Sequence, residues 1–445
     1  MKPVLFIICM GILSNGINSK FLRSLQSNTN SYDYSSYLAT STNTNLTGQT
    51  LSSETQDKSV VYITNPGIEI LGSVLTKKSG DSSNTENSEF YGVNAAVLVQ
   101  GGGVTISGGT ITTKAKGANA LCATNSGTVK ISDTKIDSTG ESSARGLHAT
   151  YGGSITASKV TISSTGGSCA TLATDRGEGT VTCSGCTLST AGAGSPLIYS
   201  TGQITVSERT IGTSTGAQAV VVEGKNSATV KDSMLECNGY GNRGSSDKVD
   251  KCGVMLYQSM SGDADSGTTT FNCESSTINI LDESDVYESA PMFFITNTDA
   301  SINLNDCQFS YGSSIFLSAE GTSEWGTSGT NGGVVTLTLK NQNIEGDFVV
   351  DAYSGLTIKL TESSTLKGKI NTAKTAAKIE IIIDATSSIE LTGDSYYTSL
   401  TNSGSENINV GSYKWEKVDS SEGNETTSKS NYINISILLL LFALF

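Results

Sequence analysis

Short runs of alternating apolar and polar residues recur along most of the chain at an interval of about 25 residues. The clearest run begins at Val104, Val129, Ile155, Val181, Ile204 and Val230. These starts lie 25, 26, 26, 23 and 26 residues apart, and a second and a third alternating run flank the first. Alternation with a period of two predicts β-strands, and the Gly, Ser, Asn and Asp residues between the runs predict tight turns.

Three strands per repeat predict a solenoid in which each repeat is one coil of a parallel β-helix. β-Propeller blades need about 40 residues and four strands, and leucine-rich repeats need helix-like segments and an Asn ladder. The sequence has neither pattern. We therefore predict an all-β chain with a single parallel β-helix of roughly 12–14 coils. The β-helix is expected over residues 59–418, after a low-complexity leader or N-terminal cap at residues 20–58.

The two ends of the chain predict secretion and anchoring. Residues 1–19 contain a basic residue, a short apolar run and small polar residues, which is the pattern of a signal peptide. A polar spacer at residues 419–431 precedes a hydrophobic tail at residues 432–445, as in a glycosylphosphatidylinositol (GPI) signal. The candidate attachment residues are Ser421, Gly423 and Asn424. The alternative is a short tail that stays embedded; either way the body faces outward on the plasma membrane.

The composition of the chain suits a β-helix, and its charge limits the classes of molecule that it is expected to bind. The chain has 445 residues with 48 Gly and 4 Pro, so the corners can adopt positive φ while the strands keep their hydrogen-bond donors. Its net charge of −14 repels phosphate backbones, which excludes nucleic acid as an expected partner.

Eight cysteines remain after the signal peptide, an even number that permits complete pairing in a secreted protein. Cys237 and Cys252 flank one polar insertion, and we predict a disulfide between them. Cys183 and Cys186 form a CxxC motif without the context of a redox or zinc site. Asn45 and Asn424 begin acceptor sequences for N-glycosylation.

The turn between the first and second strand of each coil should form a line of side chains along one face of the solenoid. Polar and charged residues dominate that line: Asn125, Asp175, Arg176, Glu178, Glu223, Lys225, Asn226, Gln258, Asp263, Asp265, Asn297 and Asp299. One interpretation is a groove for polysaccharide or for Ca²⁺, which prefers carboxylate and amide oxygens. The other is that these residues satisfy backbone groups in turns. No cofactor other than Ca²⁺ is expected.

With its coil pattern and the phrases at residues 80–87, 174–177 and 257–265, the chain resembles the pectate-lyase-like right-handed β-helix superfamily over about residues 60–415. It is most similar to secreted, adhesin-like microbial members. The resemblance implies a right-handed helix. It also draws attention to Asn297-Thr298-Asp299, because pectin-hydrolysing members carry Asn-Thr-Asp at their catalytic centre. The paired aspartates, the Gly-His-Gly and the Arg-Ile-Lys of those enzymes are missing, and the sole histidine, His148, lies upstream in a strand.

These observations predict an anchored, non-enzymatic, adhesin-like or coat protein that contacts glycans or cell-surface proteins. The insertions at residues 237–252 and 259–268 are expected to carry specificity, because loops on solenoids carry binding. The alternative is a polysaccharide lyase or hydrolase, with Arg176 beside Asp175 as the candidate base of a lyase. Threonine-rich strands also raise ice binding, although the β-propensity of Thr explains them equally well.

Overall fold

The computed structural model describes residues 33–34, 39–245, 249–404 and 407–419, and almost every regular element in it is a strand. Successive coils contribute one strand to each of three long faces, and all the strand pairs are parallel. The 14 strands of the second sheet define 14 coils, as the sequence predicts.

The first sheet contains 12 strands. They are β1 (Ser41–Thr42), β4 (Val61–Ile63), β7 (Val97–Gln100), β10 (Leu121–Thr124), β13 (Leu147–Ala149), β16 (Leu172–Thr174), β19 (Ile198–Ser200), β22 (Val220–Glu223), β25 (Val254–Tyr257), β28 (Phe293–Thr296), β31 (Ile315–Ala319) and β34 (Asp347–Val350).

The second sheet is the longest. Its strands are β2 (Leu46–Thr47), β5 (Ile68–Leu71), β8 (Gly103–Ser107), β11 (Thr128–Ser132), β14 (Ser154–Ser158), β17 (Thr180–Ser184), β20 (Gln203–Ser207), β23 (Ser227–Lys231), β26 (Thr268–Glu274), β29 (Thr298–Asn305), β32 (Gly333–Lys340), β35 (Gly355–Thr361), β37 (Lys378–Ile383) and β40 (Ser399–Asn402).

The third face is divided between a ten-stranded and a four-stranded sheet, and a two-stranded sheet follows at the C-terminal end. The third sheet contains β3 (Thr50–Ser53), β6 (Val74–Lys77), β9 (Thr110–Thr113), β12 (Lys135–Ser138), β15 (Thr161–Ser164), β18 (Thr187–Thr190), β21 (Ile211–Ser214), β24 (Met234–Cys237), β27 (Thr277–Ile280) and β30 (Gln308–Ser310). The fourth contains β33 (Asn343–Glu345), β36 (Thr365–Gly368), β38 (Ser388–Leu391) and β41 (Ile408–Asn409), and the fifth contains β39 (Ser395–Tyr397) and β42 (Trp415–Lys417).

The core runs along the inside of the solenoid as columns of stacked apolar side chains. Register pairs Val104 with Val129, Val129 with Ile155 and Ile155 with Val181, and each of these is buried. Because side chains alternate across a strand, the residues between them point outward. The 25-residue period therefore keeps one column of the core in register from coil to coil.

At the corner between the second and third sheets, one residue adopts the left-handed backbone conformation in coil after coil. Glycine occupies this position at Gly72 and Gly108, but Asp133, Lys159 and Asp232 adopt positive φ in the equivalent place. The next residue of the corner, Gly109, is different: only glycine fits there, because a Cβ would lie 2.1 Å from the carbonyl oxygen of Ser73. Close approach of neighbouring coils, as well as positive φ, thus explains the glycine content.

The ladders begin earlier in the chain than residue 59. Strands β1, β2 and β3 form a first coil at residues 41–53, within the segment assigned to a leader or cap, and pair with β4, β5 and β6. The apolar content of this coil is low, which is why the sequence pattern does not mark it.

Between β7 and β31 the first sheet is largely buried on both faces. Near its N-terminal end, helix α1 (Thr85–Tyr91) packs outside it, and Leu98 and Cys122 point into that contact. Asn84 caps the helix, and Gly92 ends it at φ 70°, where a Cβ would lie 2.4 Å from the Cys122 sulfur. Farther along, Met255 and Phe294 form an outer apolar cluster with the partly buried Trp325, from an insertion at residues 320–332.

Candidate functional site

The predicted line of polar residues lies at the corner between the first and second sheets. Asn125 and Asn297 adopt left-handed φ values of 52° and 53° there, as expected for a tight corner. The insertion at residues 258–267, between β25 and β26, folds back along the axis over the corners of earlier coils. The line is therefore partly covered by its own largest loop.

Ion pairs fasten that insertion to the earlier corners. Arg176 Nη2 lies 2.6 Å from Asp263 Oδ1. Lys225 Nζ lies 2.8 Å from Glu178 Oε1 and 3.1 Å from Asp265 Oδ2, with all three side chains substantially exposed. The structure thus brings five of the predicted residues together, and they pair with one another.

Glu223 is the most buried carboxylate of the line, at 1% exposure. Its Oε2 accepts hydrogen bonds from Tyr199 Oη at 2.8 Å and Tyr257 Oη at 2.9 Å, and its Oε1 accepts one from Ser259 Oγ. Burial raises the pKa of Glu223, and the three hydroxyl donors oppose that rise. Three of this chain's own hydroxyls therefore already bond to the carboxylate.

Three of the four amide side chains of the line bond to backbone, and the fourth is that of Asn125. Asn226 Nδ2 donates to the Glu223 carbonyl oxygen at 2.7 Å, and Asn297 Nδ2 donates to the Gln258 carbonyl oxygen at 2.7 Å. Gln258 Nε2 donates to the carbonyl oxygen of Ala264 at 3.2 Å. These bonds shape the insertion from its base.

Asp175 belongs to a buried cluster that sequence reasoning missed. Arg145 Nη1 lies 2.7 Å from Asp175 Oδ2, and the two side chains are 9% and 6% exposed. Burial raises the pKa of Asp175 to about 6, against the opposing effect of Arg145. At neutral pH the carboxylate is therefore ionised, and the ion pair is intact. The sequence gives little indication of this pair, because Arg145 lies in a loop and contacts Asp175 only through the stacking of one coil on the next.

His148 completes this cluster beneath helix α1. Its Nε2 lies 2.7 Å from the carbonyl oxygen of Glu89, which can only accept, so we assign the proton to Nε2. Burial and the neighbouring Arg145 lower the pKa of His148 to about 3. The ring is consequently neutral, and it holds the helix against the sheet. Beside it, the Arg176 guanidinium lies 3.7 Å from the centre of the Phe90 ring.

A family model described as "Right handed beta helix region" matches residues 73–235, which is less than half of the chain. The three long parallel faces agree with that match and continue its pattern on both sides. This chain fits the pectate-lyase-like parallel β-helix superfamily. No curated protein and no solved structure shows significant similarity to it. Because one fold supports many activities, the function of this β-helix has to be argued from its site.

The catalytic motifs of pectin-cleaving β-helices do not assemble here. Asn297 bonds to backbone, while Asp299 is exposed on β29, a strand of the second sheet. Arg176 donates its backbone N–H to Asp175 Oδ1 at 2.8 Å, but its guanidinium points to Asp263 and Phe90. The side chain of Asp175 pairs with Arg145 instead. The candidate lyase base is thus committed to two other partners.

The acidic side chains of the line bear on the predicted Ca²⁺ site. Within the described ranges, no group of three or more His, Cys, Asp or Glu side chains is arranged to hold a metal ion. Asp263 and Asp265 form ion pairs with Arg176 and Lys225.

The predicted Cys237–Cys252 disulfide is wrong. The structure links Cys183 to Cys186 and Cys273 to Cys307, and leaves Cys122, Cys169, Cys237 and Cys252 as buried thiols. Cys237 joins the inner core, whereas Cys252 joins the apolar cluster outside the first sheet. Proximity along the insertion is therefore not enough, because the two side chains pack in different layers.

Asn45 is exposed in the first coil, and its Oδ1 accepts a hydrogen bond from the Glu69 backbone at 3.0 Å. Its glycosylation stays a prediction. The signal peptide, the sequon at Asn424 and the anchor candidates Ser421, Gly423 and Asn424 lie outside the described residues. In the part of the chain that the structure describes, no helix is long and apolar enough to cross a membrane.

Proposed function

We propose that this β-helix is a non-enzymatic, adhesin-like or coat protein, held on the outer face of the plasma membrane, that contacts glycans or other surfaces through its flank. The predicted signal peptide and lipid anchor support the location. The observation that carries the role is the contrast between two faces. The first sheet is covered by α1 and by insertions, while the outward residues of the second sheet are exposed or half-exposed.

The outer face of the second sheet carries a regular array of hydroxyl and amide groups. One outward column follows the register through Thr105, Lys130, Thr156, Thr182, Thr205, Thr229, Asn272, Asn303 and Thr338. Neighbours on it bond to one another, as where Asn303 Nδ2 donates to Asn272 Oδ1 at 3.0 Å. Such a column offers the same weak contact at every coil, so affinity would arise from multivalency.

Flank variants test this role. Replacing Thr156, Thr182 and Thr205 together by Glu places three charges on adjacent coils of the second sheet. Replacing Thr110, Thr161 and Thr187, which are outward residues of the third sheet, by Glu adds the same number of charges and is the matched control. We expect the first variant, and not the second, to lose binding to cells and glycan arrays. Equal binding by both would remove the flank from the account.

A carbohydrate-active enzyme is the second candidate, and one observation favours it. Asp175 and Glu223 are both buried beside the first sheet with raised pKa values, and perturbed carboxylates cluster at catalytic sites. Their partners favour a structural role, because Arg145 and three hydroxyls already fill their bonding positions. Release of reducing ends or unsaturated products from polyuronides, abolished by Glu223→Gln without loss of the fold, would support the enzyme instead.

A further inference from the structure

The third face of the solenoid is interrupted between two consecutive coils. Strand β30 pairs with β27 on one side, and β33 pairs with β36 on the other, but β30 and β33 belong to different sheets. Elsewhere along this face, strands of neighbouring coils pair directly. The ladder thus opens at one place, while the second sheet continues past it from β29 to β32 without a break.

Gln342 holds one end of this opening apart. At several equivalent corners a Ser or Thr hydroxyl accepts a hydrogen bond from the backbone N–H of the preceding coil, as Ser276 does from Ser233 and Ser364 from Gln342. At the opening, the longer amide of Gln342 takes this place. Its Oε1 accepts from Cys307 N at 2.7 Å, and its Nε2 donates to the Cys307 carbonyl oxygen at 2.6 Å. A longer side chain in the same column therefore separates the two coils.

Tyr311 closes the other end. Its hydroxyl donates to the carbonyl oxygen of Glu345 at 2.6 Å, so the ring spans from one coil to the next. Between Gln342 and Tyr311, the backbone N–H of Gln308 donates to the carbonyl oxygen of Ser276 at 2.8 Å. Because alternate residues of a strand bond to opposite sides, the backbone N–H and C=O of Phe309 point towards the opening. The opening is consequently a closed-ended slot, about three residues long, and not an open sheet edge.

The slot contains a cavity of about 430 Å³, which is within the range of small-molecule sites. The Phe309 ring forms its floor and is half-buried, although its neighbour in the column, Ile278, is fully buried. The Phe316 ring lies 5.4 Å from that of Phe309 and is itself only 1% exposed. Polar side chains form its rim: Asp306, Gln308, Asn341, Asn343, Thr365 and Lys367. Lys367 is already paired with Glu345 at 3.1 Å.

We propose that this cavity binds one residue of a neutral glycan. A pyranose ring has apolar C–H faces and a hydroxylated edge, so it requires an aromatic floor with a rim of amides and hydroxyls, which this cavity supplies. The rim carboxylates of Asp306 and Glu345, on a chain of net charge −14, disfavour uronates. Gln342 and Tyr311 close the two ends of the slot, so an extended peptide has no room to pair with β30 and β33. The inference rests on the proposed glycan contact and places one specific subsite away from the charged corner.

Binding of monosaccharides to the full chain tests the cavity. Glucose, galactose, mannose, N-acetylglucosamine and galacturonate serve as probes, with an apolar hexapeptide as the competing ligand, followed by saturation-transfer NMR and calorimetry. Gln342→Ser restores the short corner residue and should narrow the slot. Phe309→Leu removes the aromatic floor but keeps an apolar side chain. Thr210→Ser, in the same corner column far from the slot, is the control.

We expect at least one neutral sugar to bind, and both slot variants to weaken it about tenfold or more, with Thr210→Ser unchanged. Absence of sugar binding, equal binding by all variants, or binding of the hexapeptide alone would overturn the assignment. Retention of the rod on glycan-coated surfaces separates the two proposals. If the slot binds no sugar while the rod is still retained on glycan-coated surfaces through the second sheet, only the subsite is refuted. If the unaltered chain is not retained on any glycan-coated surface, the proposed function itself is refuted.

Discussion

The buried pair between Arg145 and Asp175 makes the sharpest energetic prediction. Asp175→Asn keeps the shape of the side chain but leaves a guanidinium that is 9% exposed without its counter-charge. Removing one partner of a buried ion pair costs about 3–5 kcal/mol. Because burial raises the pKa of Asp175 and so favours its neutral form, the loss should lie at or below the low end of that range. The matched control is Lys225→Met, because Lys225 also pairs with two carboxylates but is 43% exposed. Exposed pairs contribute about 0–1 kcal/mol, so the control should be nearly neutral.

The assay has to respect the architecture, since coils of a solenoid interact mainly with their neighbours and need not unfold together. Hydrogen exchange of the amides in β13 and β16, the strands on either side of the pair, reports the local free energy of opening. Asp175→Asn should accelerate exchange there, and Lys225→Met should leave it near the wild-type rate. The double variant Arg145→Met/Asp175→Asn removes both charges and should recover most of the loss. Equal effects of the two single variants, or no recovery, would refute the reasoning.

Three further predictions concern acid stability, thiols and close approach. Because the pKa of His148 is about 3 in the fold against an ordinary 6.5, the unfolded chain binds a proton that the fold does not, and stability is lost as the pH falls between those values. Asp175 acts oppositely between about pH 6 and pH 4, with a smaller shift. In urea titrations, His148→Gln should reduce the acid destabilisation without removing it, because Asp384, whose pKa is lowered to about 2, also loses stability in acid; unchanged acid sensitivity in that variant would contradict the reasoning. Mass spectrometry after alkylation in denaturant without reductant should leave Cys183–Cys186 and Cys273–Cys307 unlabelled, and a Cys237–Cys252 linkage would contradict the structure. Gly109→Ala should destabilise by about 1–3 kcal/mol in the same titrations, since it combines φ 80° with a backbone clash, and a neutral result would contradict the tight spacing of coils.

The repeat predicts the coils well because a period of about 25 residues leaves the inward columns little choice of register. Strands such as Leu121–Thr124 carry a further signal. Their continuous burial, without a polar outward face, is typical of a sheet covered on both sides, and α1 and the insertions provide that cover. The sequence alone could have suggested a covered first sheet, although not which segment covers it.

The contacts across coils are harder to predict. Arg145 reaches Asp175 thirty residues away, and Asp263 reaches back 87 residues to Arg176, because the insertion folds along the axis rather than outward. The spacing of residues in the sequence places them on corners but does not determine how a ten-residue loop lies. Gln342 is similar: a glutamine in a column of otherwise small or short side chains becomes meaningful only when the ladder beside it is seen to open.

The most direct test of the proposed function measures binding and cleavage in the same wells. The purified full chain is incubated with immobilised neutral and acidic polysaccharides, and the protein retained and the reducing ends released are measured together. We predict that the protein is retained and that no reducing ends are released. We also predict that the Thr156/Thr182/Thr205→Glu variant is no longer retained. Release of sugar that disappears in Glu223→Gln, while that variant keeps the circular dichroism of the unaltered chain, would contradict the proposed function and identify this buried carboxylate as catalytic.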